Sequence, residues 1–312
     1  MRKLTLPVPD DRAYEMVVVG ASNAGLSAAL VLGRACRRVL VLDGGPARNA
    51  PAASAHGFFT RDGAPPAELL RLGREQLRPY AVEICAGEVQ QARRTETGFA
   101  LALANGAVVR AGALVLATGI ADELPAVPGV ADLWGRGVYH CPYCHGWENR
   151  FRRVAVYGRG TAGYEHALLL RHWVPGLTLC TDGPAGLAPA QQAHLAQLAV
   201  SVIETPVTAL EGSLKCLQAL TFADGRRLAL DALFLQPAQR QRSTLAAQLG
   251  CALAPDGLYV QVSEAGRTSV PDVYAVGDMT GPLQQALLAA AHGTRAAVAL
   301  NHDWVARSYA AA

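Results

Sequence analysis

Apolar residues along the chain fall into two spacings, and the way these alternate lays out a fold. Short unbroken apolar runs ending near glycine or aspartate predict buried strands at residues 14–20, 39–42, 113–119, 154–157 and 177–181. Helical spacing follows at residues 26–32, 164–172 and 283–301. Residues 65–80 read as an amphipathic helix, with Leu69, Leu70, Leu72 and Leu77 as its stripe and proline at its first turn. Short alternating runs broken by Gly and Asn predict a small antiparallel meander over residues 82–109, and further strands over 206–226 and 228–235. Strand, helix and strand thus occur twice in succession, beginning at Tyr14 and at Val154. This predicts an α/β chain with two βαβ units. Pro125 and Pro128 mark where the chain leaves the first domain, and residues 237–243 where it crosses back.

Both units carry glycine turns of the kind that hold a dinucleotide. In the first, Gly20-Ala21-Ser22-Asn23-Ala24-Gly25 joins strand to helix, and Asp43 closes the second strand, placed for a ribose hydroxyl. Tight glycines let a pyrophosphate reach backbone N–H groups at the helix N-terminus. Ser22 replaces the middle glycine, so the context rather than the motif alone carries the reading. In the second unit Gly158-Arg159-Gly160-Thr161-Ala162-Gly163 is intact. Its second strand ends at Thr181-Asp182-Gly183-Pro184 without the basic residue that a 2′-phosphate needs. That leaves NAD selectivity through Asp182, or a retained fold that binds nicotinamide weakly. Near the C-terminus a strand ends in Gly277-Asp278, and a helix begins near Gln284 and Gln285. The carboxylate suits ribityl hydroxyls and the helix N-terminus suits a partly negative ring oxygen. Taken alone, this is an ordinary strand-turn-helix. Residues 48–63, with His56-Gly57-Phe58-Phe59, read either as a lining for a flavin ring or as a surface loop with a buried Phe pair.

Between the two glycine turns lies Tyr139-His140-Cys141-Pro142-Tyr143-Cys144-His145. Two thiols three apart can interchange with a disulfide, and a helix N-terminus or an imidazole activates one of them. The same Cys-x-x-Cys-His string is a c-type haem signature. Haem attachment requires export, and Met1 to Pro7 has no apolar core of a leader peptide. A structural zinc site needs a second ligand pair. Cys36, Cys85, Cys180, Cys216 and Cys251 are scattered singly, so no metal site is expected. Cys36 and Cys180 read as small core residues. Redox chemistry is the best reading of the pair.

Composition removes other classes. Half the chain is hydrophobic (51%), 17% is charged and the formal charge is only +3, without a basic block, which excludes nucleic acid as an expected partner. No apolar run reaches the ~18 residues of a membrane span. One close cysteine pair among seven fits a reducing cytoplasm.

GASNAGLSAA from residue 20, ATG at 117–119, CPYC at 141–144, GRGTAG at 158–163 and YAVGD at 274–278 together resemble the low-molecular-weight thioredoxin reductase family over nearly the whole chain. The resemblance implies two Rossmann-like, three-layer nucleotide-binding domains. One is a discontinuous FAD-binding domain of residues 1–122 and 243–312. The other is a nicotinamide-type domain of residues 123–242 that carries the dithiol. It implies FAD held by Gly20, Ser22, Ala24, Gly25, Asp43, Gly44, Arg48, His56, Gly57, Thr118, Gly119, Gly277, Asp278, Gln284 and Gln285. Gly158, Gly160 and Gly163 are the candidate nicotinamide contacts, and whether NAD(P)H binds is left open. By the same resemblance Cys144 faces the flavin, Cys141 meets the substrate, and the protein is a homodimer.

Two departures matter. His145 stands where thioredoxin reductases carry Asp, and the Arg-rich HRR-like motif for NADPH is missing. Cys-x-x-Cys-His is similar to the small-molecule dithiol oxidases of the gliotoxin, holomycin and romidepsin type. The expectation is an enzyme that oxidises a natural-product dithiol through Cys141 and Cys144 and passes electrons to FAD, then to oxygen or a nicotinamide. His145 serves as general base with a pKa near working pH, and His140 is a weaker candidate. The alternatives are an NAD(P)H-dependent reductase of a thioredoxin-like protein and a flavin redox sensor without turnover.

Overall fold

The computed structural model describes residues 13–213 and 216–310. The N-terminal stretch that argued against a leader peptide lies outside the described residues.

The chain opens with β1 (Ala13–Val19), α1 (Asn23–Arg34) and β2 (Val39–Asp43), the last parallel to β1 with Val17 opposite Leu40 and Val19 opposite Leu42. Next, α2 (Pro66–Leu77) buries Leu69 and Leu77 and leads into β3 (Val82–Ala86), which adds parallel to β2. This corrects the expectation of one antiparallel meander from residue 82. A strand that returns through a crossover helix joins its sheet parallel, and the alternation Val82, Ile84 does not encode direction. Only β4 (Val89–Thr95), β5 (Gly98–Leu103) and the start of β6 (Val108–Leu116) form the meander. β6 then does double duty: residues 108–111 pair antiparallel with β5, while 110–116 pair parallel with β1. After β6 the chain passes through β7 (Ile120–Glu123) into a second compact unit.

That unit contains α3 (Val130–Leu133), β8 (Val138–Tyr139), α4 (Pro142–Asn149), β9 (Val154–Tyr157), α5 (Gly160–Arg171), β10 (Leu177–Cys180), α6 (Pro189–Gln197) and β11 (Ser201–Ile203). It continues with β12 (Val207–Ser213), β13 (Cys216–Phe222), β14 (Arg227–Ala229) and β15 (Ala232–Leu235). Its parallel sheet runs β11-β10-β9-β15-β8, and β12-β13-β14 form a separate antiparallel sheet. Strand alternation splits the core: Val154, Val156, Leu179 and Phe234 pack with Ala167 and Leu170 of α5, while Ala155, Leu233 and Leu235 join Leu217, Leu220 and Phe222 of β13.

The chain returns through β16 (Ala238–Gln241) to α7 (Leu245–Gln248), β17 (Val273–Ala275), a 3₁₀ turn at Gly277–Thr280 and α8 (Ala286–Ala310). β17 pairs parallel with residues 114–116 of β6 and completes the first sheet. One face of that sheet (Met16, Val18, Val115) packs with Ala28, Leu32, Ala296 and Leu300 of α1 and α8; the other (Val17, Leu114, Leu116) packs with Phe99 and Leu101 of the meander. This is a three-layer ββα unit. α8 extends nine residues beyond the helix expected at 283–301, held by Arg267 and Tyr274 on Asp303.

The first unit comprises described residues up to Ala50, with Phe58–Ala121 and the chain from Gln239; the second comprises Pro51–Gly57 and Asp122–Ala238. His56 and Gly57, expected beside a flavin, therefore belong with the dithiol-bearing unit. The Phe58-Phe59 pair is not buried together, since Phe59 is 79% exposed. Cys180 is a core residue as expected, whereas Cys36 is exposed at the turn after α1 with φ +60°.

Candidate active site

The first unit builds a cradle at the β1–α1 turn. Gly20 has φ +114° and sits against the Ala117 carbonyl, where a Cβ would lie 2.2 Å from the oxygen. Gly25 sits against Gly20, and a Cβ there would lie 1.9 Å from its carbonyl oxygen. Ser22 caps α1 through its backbone and makes no side-chain cap bond. Ala24 is buried and touches the next part of the cradle: a Cβ at Gly277 would come within 3.0 Å of its own Cβ. Asp43 closes β2, takes a 2.6 Å hydrogen bond from Arg74 on one oxygen, and accepts from the Gly45 N–H at 3.2 Å on the other. Gly44 follows it beside Glu88.

A polar network lies around the C-terminal strand-turn-helix. Arg48 reaches Asp278 at 3.3 Å and Gln284 at 2.7 Å. Gln284 in turn donates to Gln239 at 3.0 Å and to Tyr259 at 3.1 Å. Thr118 donates to the buried Met279 sulfur, and the Gly119 carbonyl accepts from the Arg242 N–H. The Gln285 carbonyl accepts from Ala289 in the first turn of α8. Sequence reasoning missed Arg74, Gln239, Tyr259 and His292, whose Nδ1 lies 3.4 Å from the Gly277 N–H. The polar run Gln239 to Arg242, where the chain crosses back, carried a signal; Tyr259 carried none.

In the second unit Cys141 and Cys144 form a disulfide with Cα atoms 5.2 Å apart. Cys141 is the N-cap of α4, Pro142 occupies the first helical position, and the Cys141 Sγ accepts the Cys144 N–H at 3.1 Å. A helix N-terminus thus points at the Cys141 sulfur and favours it as a thiolate. His145 stacks on Tyr139 with ring centroids 4.2 Å apart, and its Nδ1 is buried without a hydrogen-bond partner. Burial first, then the neighbouring His140 and His56, pull its pKa down to about 4. His145 is therefore neutral at working pH, not poised near it as its type suggested. His140 stacks on Trp134 at 5.9 Å, and His56 Nε2 lies 3.5 Å from Glu148 Oε1.

The second glycine turn repeats the packing of the first and adds one engaged donor. Gly163 packs on Gly158, where a Cβ would lie 2.6 Å from the Gly158 carbonyl carbon. The Gly160 N–H, at the start of α5 where a pyrophosphate oxygen would sit, donates to the Ala185 carbonyl at 2.7 Å. Asp182 is also engaged: Tyr157 donates to Oδ2 and the Val207 N–H to Oδ1, both at 2.8 Å, and Arg159 donates to its carbonyl. Asp43 is held in the same way by Arg74 and Gly45, so engagement of the carboxylate does not distinguish the two turns. Among the described residues, no group of three His, Cys, Asp or Glu side chains is arranged to hold a metal. Nor is any described helix long and apolar enough to cross a membrane.

Residues 14–293 match the pyridine nucleotide-disulphide oxidoreductase family, and the chain belongs to it. It is an FAD-dependent disulfide oxidoreductase of thioredoxin reductase-like fold. Among individual proteins, it is 30% identical to the thioredoxin reductase aclD of Aspergillus oryzae, over 91% of this chain and 94% of that one. A probable thioredoxin reductase of Arthroderma benhamiae is 34% identical over 49% of this chain, a match spanning 39% of the relative's length. The crystal structure of HlmI superposes with a TM-score of 0.90 at 37% identity, covering 99% of this chain and 97% of that one.

The first cradle fits FAD by its own construction. Gly20 and Gly25 let the turn fold tightly against Ala117 and itself where a side chain would collide, and Asp43 and Asp278 supply carboxylates beside it. Gly20, Ser22, Ala24 and Gly25 would hold the pyrophosphate, Asp43 the ribose, and Arg48, Asp278, Gln284 and Gln285 the remaining polar groups.

Proposed function

We propose that this protein is a dithiol oxidase that closes a disulfide in a small-molecule substrate through Cys141 and Cys144. The observation that carries the reading is the engaged Gly160 N–H: at the start of α5 it donates to Ala185 O, and the following strand ends at Asp182 with no basic residue for a 2′-phosphate. Electrons then enter from a thiol and not from NAD(P)H. The Cys-x-x-Cys-His string, similar to that of small-molecule dithiol oxidases, supports the same direction.

In the first step a substrate thiolate bonds to the Cys141 sulfur. The Cys141–Cys144 bond breaks, and its electron pair leaves on Cys144. The second substrate thiolate then attacks the first substrate sulfur, closes the substrate disulfide and expels Cys141 as thiolate. The helix N-terminus that donates the Cys144 N–H to Cys141 Sγ stabilises that leaving group. The two substrate protons pass to neighbouring bases or solvent. When bound, FAD supplies the two-electron acceptor that restores the enzyme disulfide and delivers the pair to molecular oxygen as hydrogen peroxide.

The test is an anaerobic titration of the FAD-loaded protein with NADPH, NADH and dithiothreitol in separate runs, followed by flavin absorbance. Bleaching by the dithiol alone, reversed by air with peroxide released, is expected. Rapid bleaching by NADPH or NADH overturns the reading in favour of a reductase of a protein disulfide. Reducible flavin without turnover of any dithiol overturns it in favour of a redox sensor.

A further inference from the structure

We infer that the exposed face of α4 is a recognition platform for an aromatic dithiol that bears a carboxylate: Tyr143, Trp147 and Phe151 meet the ring, and Arg150 meets the acid. This deepens the proposed oxidase reading, on which it rests, by naming the substrate class. From the middle of the Cys-x-x-Cys pair the sequence places an aromatic residue at every fourth position, Tyr143, Trp147 and Phe151. Four-residue spacing brings side chains to neighbouring places on one helix surface, and this row runs from α4 through the turn that ends it. All three stand out in solvent, Tyr143 at 66%, Trp147 at 64% and Phe151 at 88% exposure. Single exposed aromatics need no explanation, but a contiguous row marks a binding surface. The row is also braced. Gly146 lets Trp173 lie against α4, since a Cβ there would be 2.9 Å from the indole, and Tyr143 stands edge-on to that indole with centroids 5.4 Å apart. Tyr143 directly precedes Cys144 in the chain, so the row starts at the disulfide itself.

Charge supplies the second half of the class. Arg150 folds back so that its guanidinium lies 3.6 Å from the Trp147 ring centroid and 4.6 Å from that of Phe151, with Nη1 donating to the Trp147 carbonyl at 2.5 Å. Among the described residues no carboxylate pairs with Arg150 or with exposed Arg152, whereas their neighbour Arg153 is held by Asp231 at 2.6 Å. Glu148, the acid of α4, faces His56, its Oε1 3.5 Å from Nε2. A planar guanidinium stacked on an indole keeps its outer N–H groups for a carboxylate, and Arg150 and Arg152 beside an aromatic row complement a flat anion. Trp147 follows Cys144 by three residues, about 4.5 Å along the helix axis, and the Arg150 guanidinium lies at the level of Trp147. A substrate whose acid stands one ring beyond its sulfurs therefore spans disulfide, indole and guanidinium together.

The FAD-loaded protein is assayed by oxygen consumption with dithiothreitol, dihydrolipoate, 1,2-benzenedimethanethiol and the ring-carboxylated form of the last. The carboxylated aromatic dithiol is expected to give the highest kcat/KM, chiefly through KM. Trp147→Ala should lower kcat/KM for the two aromatic probes by about tenfold relative to dithiothreitol, and Trp147→Phe should restore most of it. Arg150→Gln should lower the two carboxylates relative to their neutral counterparts by about threefold, the scale of an exposed ion pair, and added salt should erode the same advantage in the wild type. Tyr309→Ser, which removes an exposed aromatic at the end of α8, is the control and should keep every ratio. A wild type that treats the four probes alike overturns the inference, as do ratios unmoved in both Trp147→Ala and Arg150→Gln. Faster turnover of a thioredoxin than of any small probe, lost in Trp147→Ala, also overturns it and makes the row a protein dock. A wild type that oxidises no dithiol defeats the proposed function, and calorimetry with the redox-inert bis(methylthio) form of the carboxylated probe then decides the platform. The inference stands if that ligand binds the wild type and binds Trp147→Ala about tenfold more weakly, and falls if it does not.

Discussion

Gly25→Ala sets two physical effects against each other, and the structure says which wins. Gly25 lies in α1 with ordinary helical geometry, so helix propensity alone favours alanine by about 1 kcal/mol. The added Cβ, however, would stand 1.9 Å from the Gly20 carbonyl oxygen and 3.0 Å from its carbon. Both are backbone atoms of the turn, so relief requires a movement of more than about 1 Å toward an ordinary contact distance. Such overpacking costs about 1–3 kcal/mol, and the same movement displaces the N–H groups that face the cofactor. Weaker FAD binding by about tenfold is expected, each tenfold being about 1.4 kcal/mol, together with a Tm lowered by a few degrees. Gly73→Ala is the control. It lies in α2, where the Cβ would meet only the Leu26 side-chain terminus at 3.1 Å, so propensity should win and the Tm should hold or rise. The assays are FAD retention on desalting, fluorescence titration of the apoprotein with FAD, and thermal unfolding. A Gly25→Ala protein that binds FAD like the wild type, or a pair of variants that respond alike, refutes the steric argument.

Cys144→Ser should abolish dithiol turnover in an oxygen-consumption assay. Under reducing conditions Cys141→Ser should match the wild type in stability because serine can cap α4, whereas Cys141→Ala should lose about 1 kcal/mol on urea unfolding. His166, pulled down to about 4 by burial, and His145 make the second unit acid-sensitive. The unfolded chain takes up protons first, so their contribution is complete above pH 6.5 and lost as the pH falls toward 4, by about 3 kcal/mol for His166 and less for half-buried His145. Urea midpoints between pH 7 and 4.5 should show this slope, and His166→Gln should flatten it. Gly163→Ala, whose Cβ would lie 2.6 Å from the Gly158 carbonyl carbon, should lower stability without changing how little NADPH bleaches the flavin; a large rise in bleaching would contradict the proposed direction of electron flow.

Much of the architecture is legible because strands and glycine turns leave local marks. The apolar runs at β1, β2, β6, β9 and β10 and the two glycine motifs predict two βαβ units, and between those motifs the Cys-x-x-Cys string reads as a redox pair. What escapes is set by long-range partners. The direction of β3 depends on the strand it meets, which alternation does not record. Residue type suggests a useful pKa for His145, but burial against Tyr139 decides otherwise. GRGTAG is intact as a string, yet one of its N–H groups is taken by Ala185, twenty-five residues after Gly160 and without a motif of its own. The change of unit of the seven-residue segment between Ala50 and Phe58, which carries His56, leaves no local mark in the sequence.

The first unit is completed only by its last helix. Gly293 of α8 sits against α1 so tightly that a Cβ would be 2.1 Å from the Ala24 carbonyl oxygen, and α8 covers the sheet face that carries Met16, Val18 and Val115. On the ribosome, the segment through Ala121 therefore emerges with that face covered by α1 alone and must wait for nearly two hundred further residues before the cover is complete. The continuous segment from Asp122 to Ala238 has no such delay. It can fold while the earlier half is still incomplete, so the dithiol unit is ready before the FAD cradle closes. Translation that pauses before α8 would leave a nascent chain with a finished thiol centre, a partly exposed apolar sheet and no means of keeping its flavin.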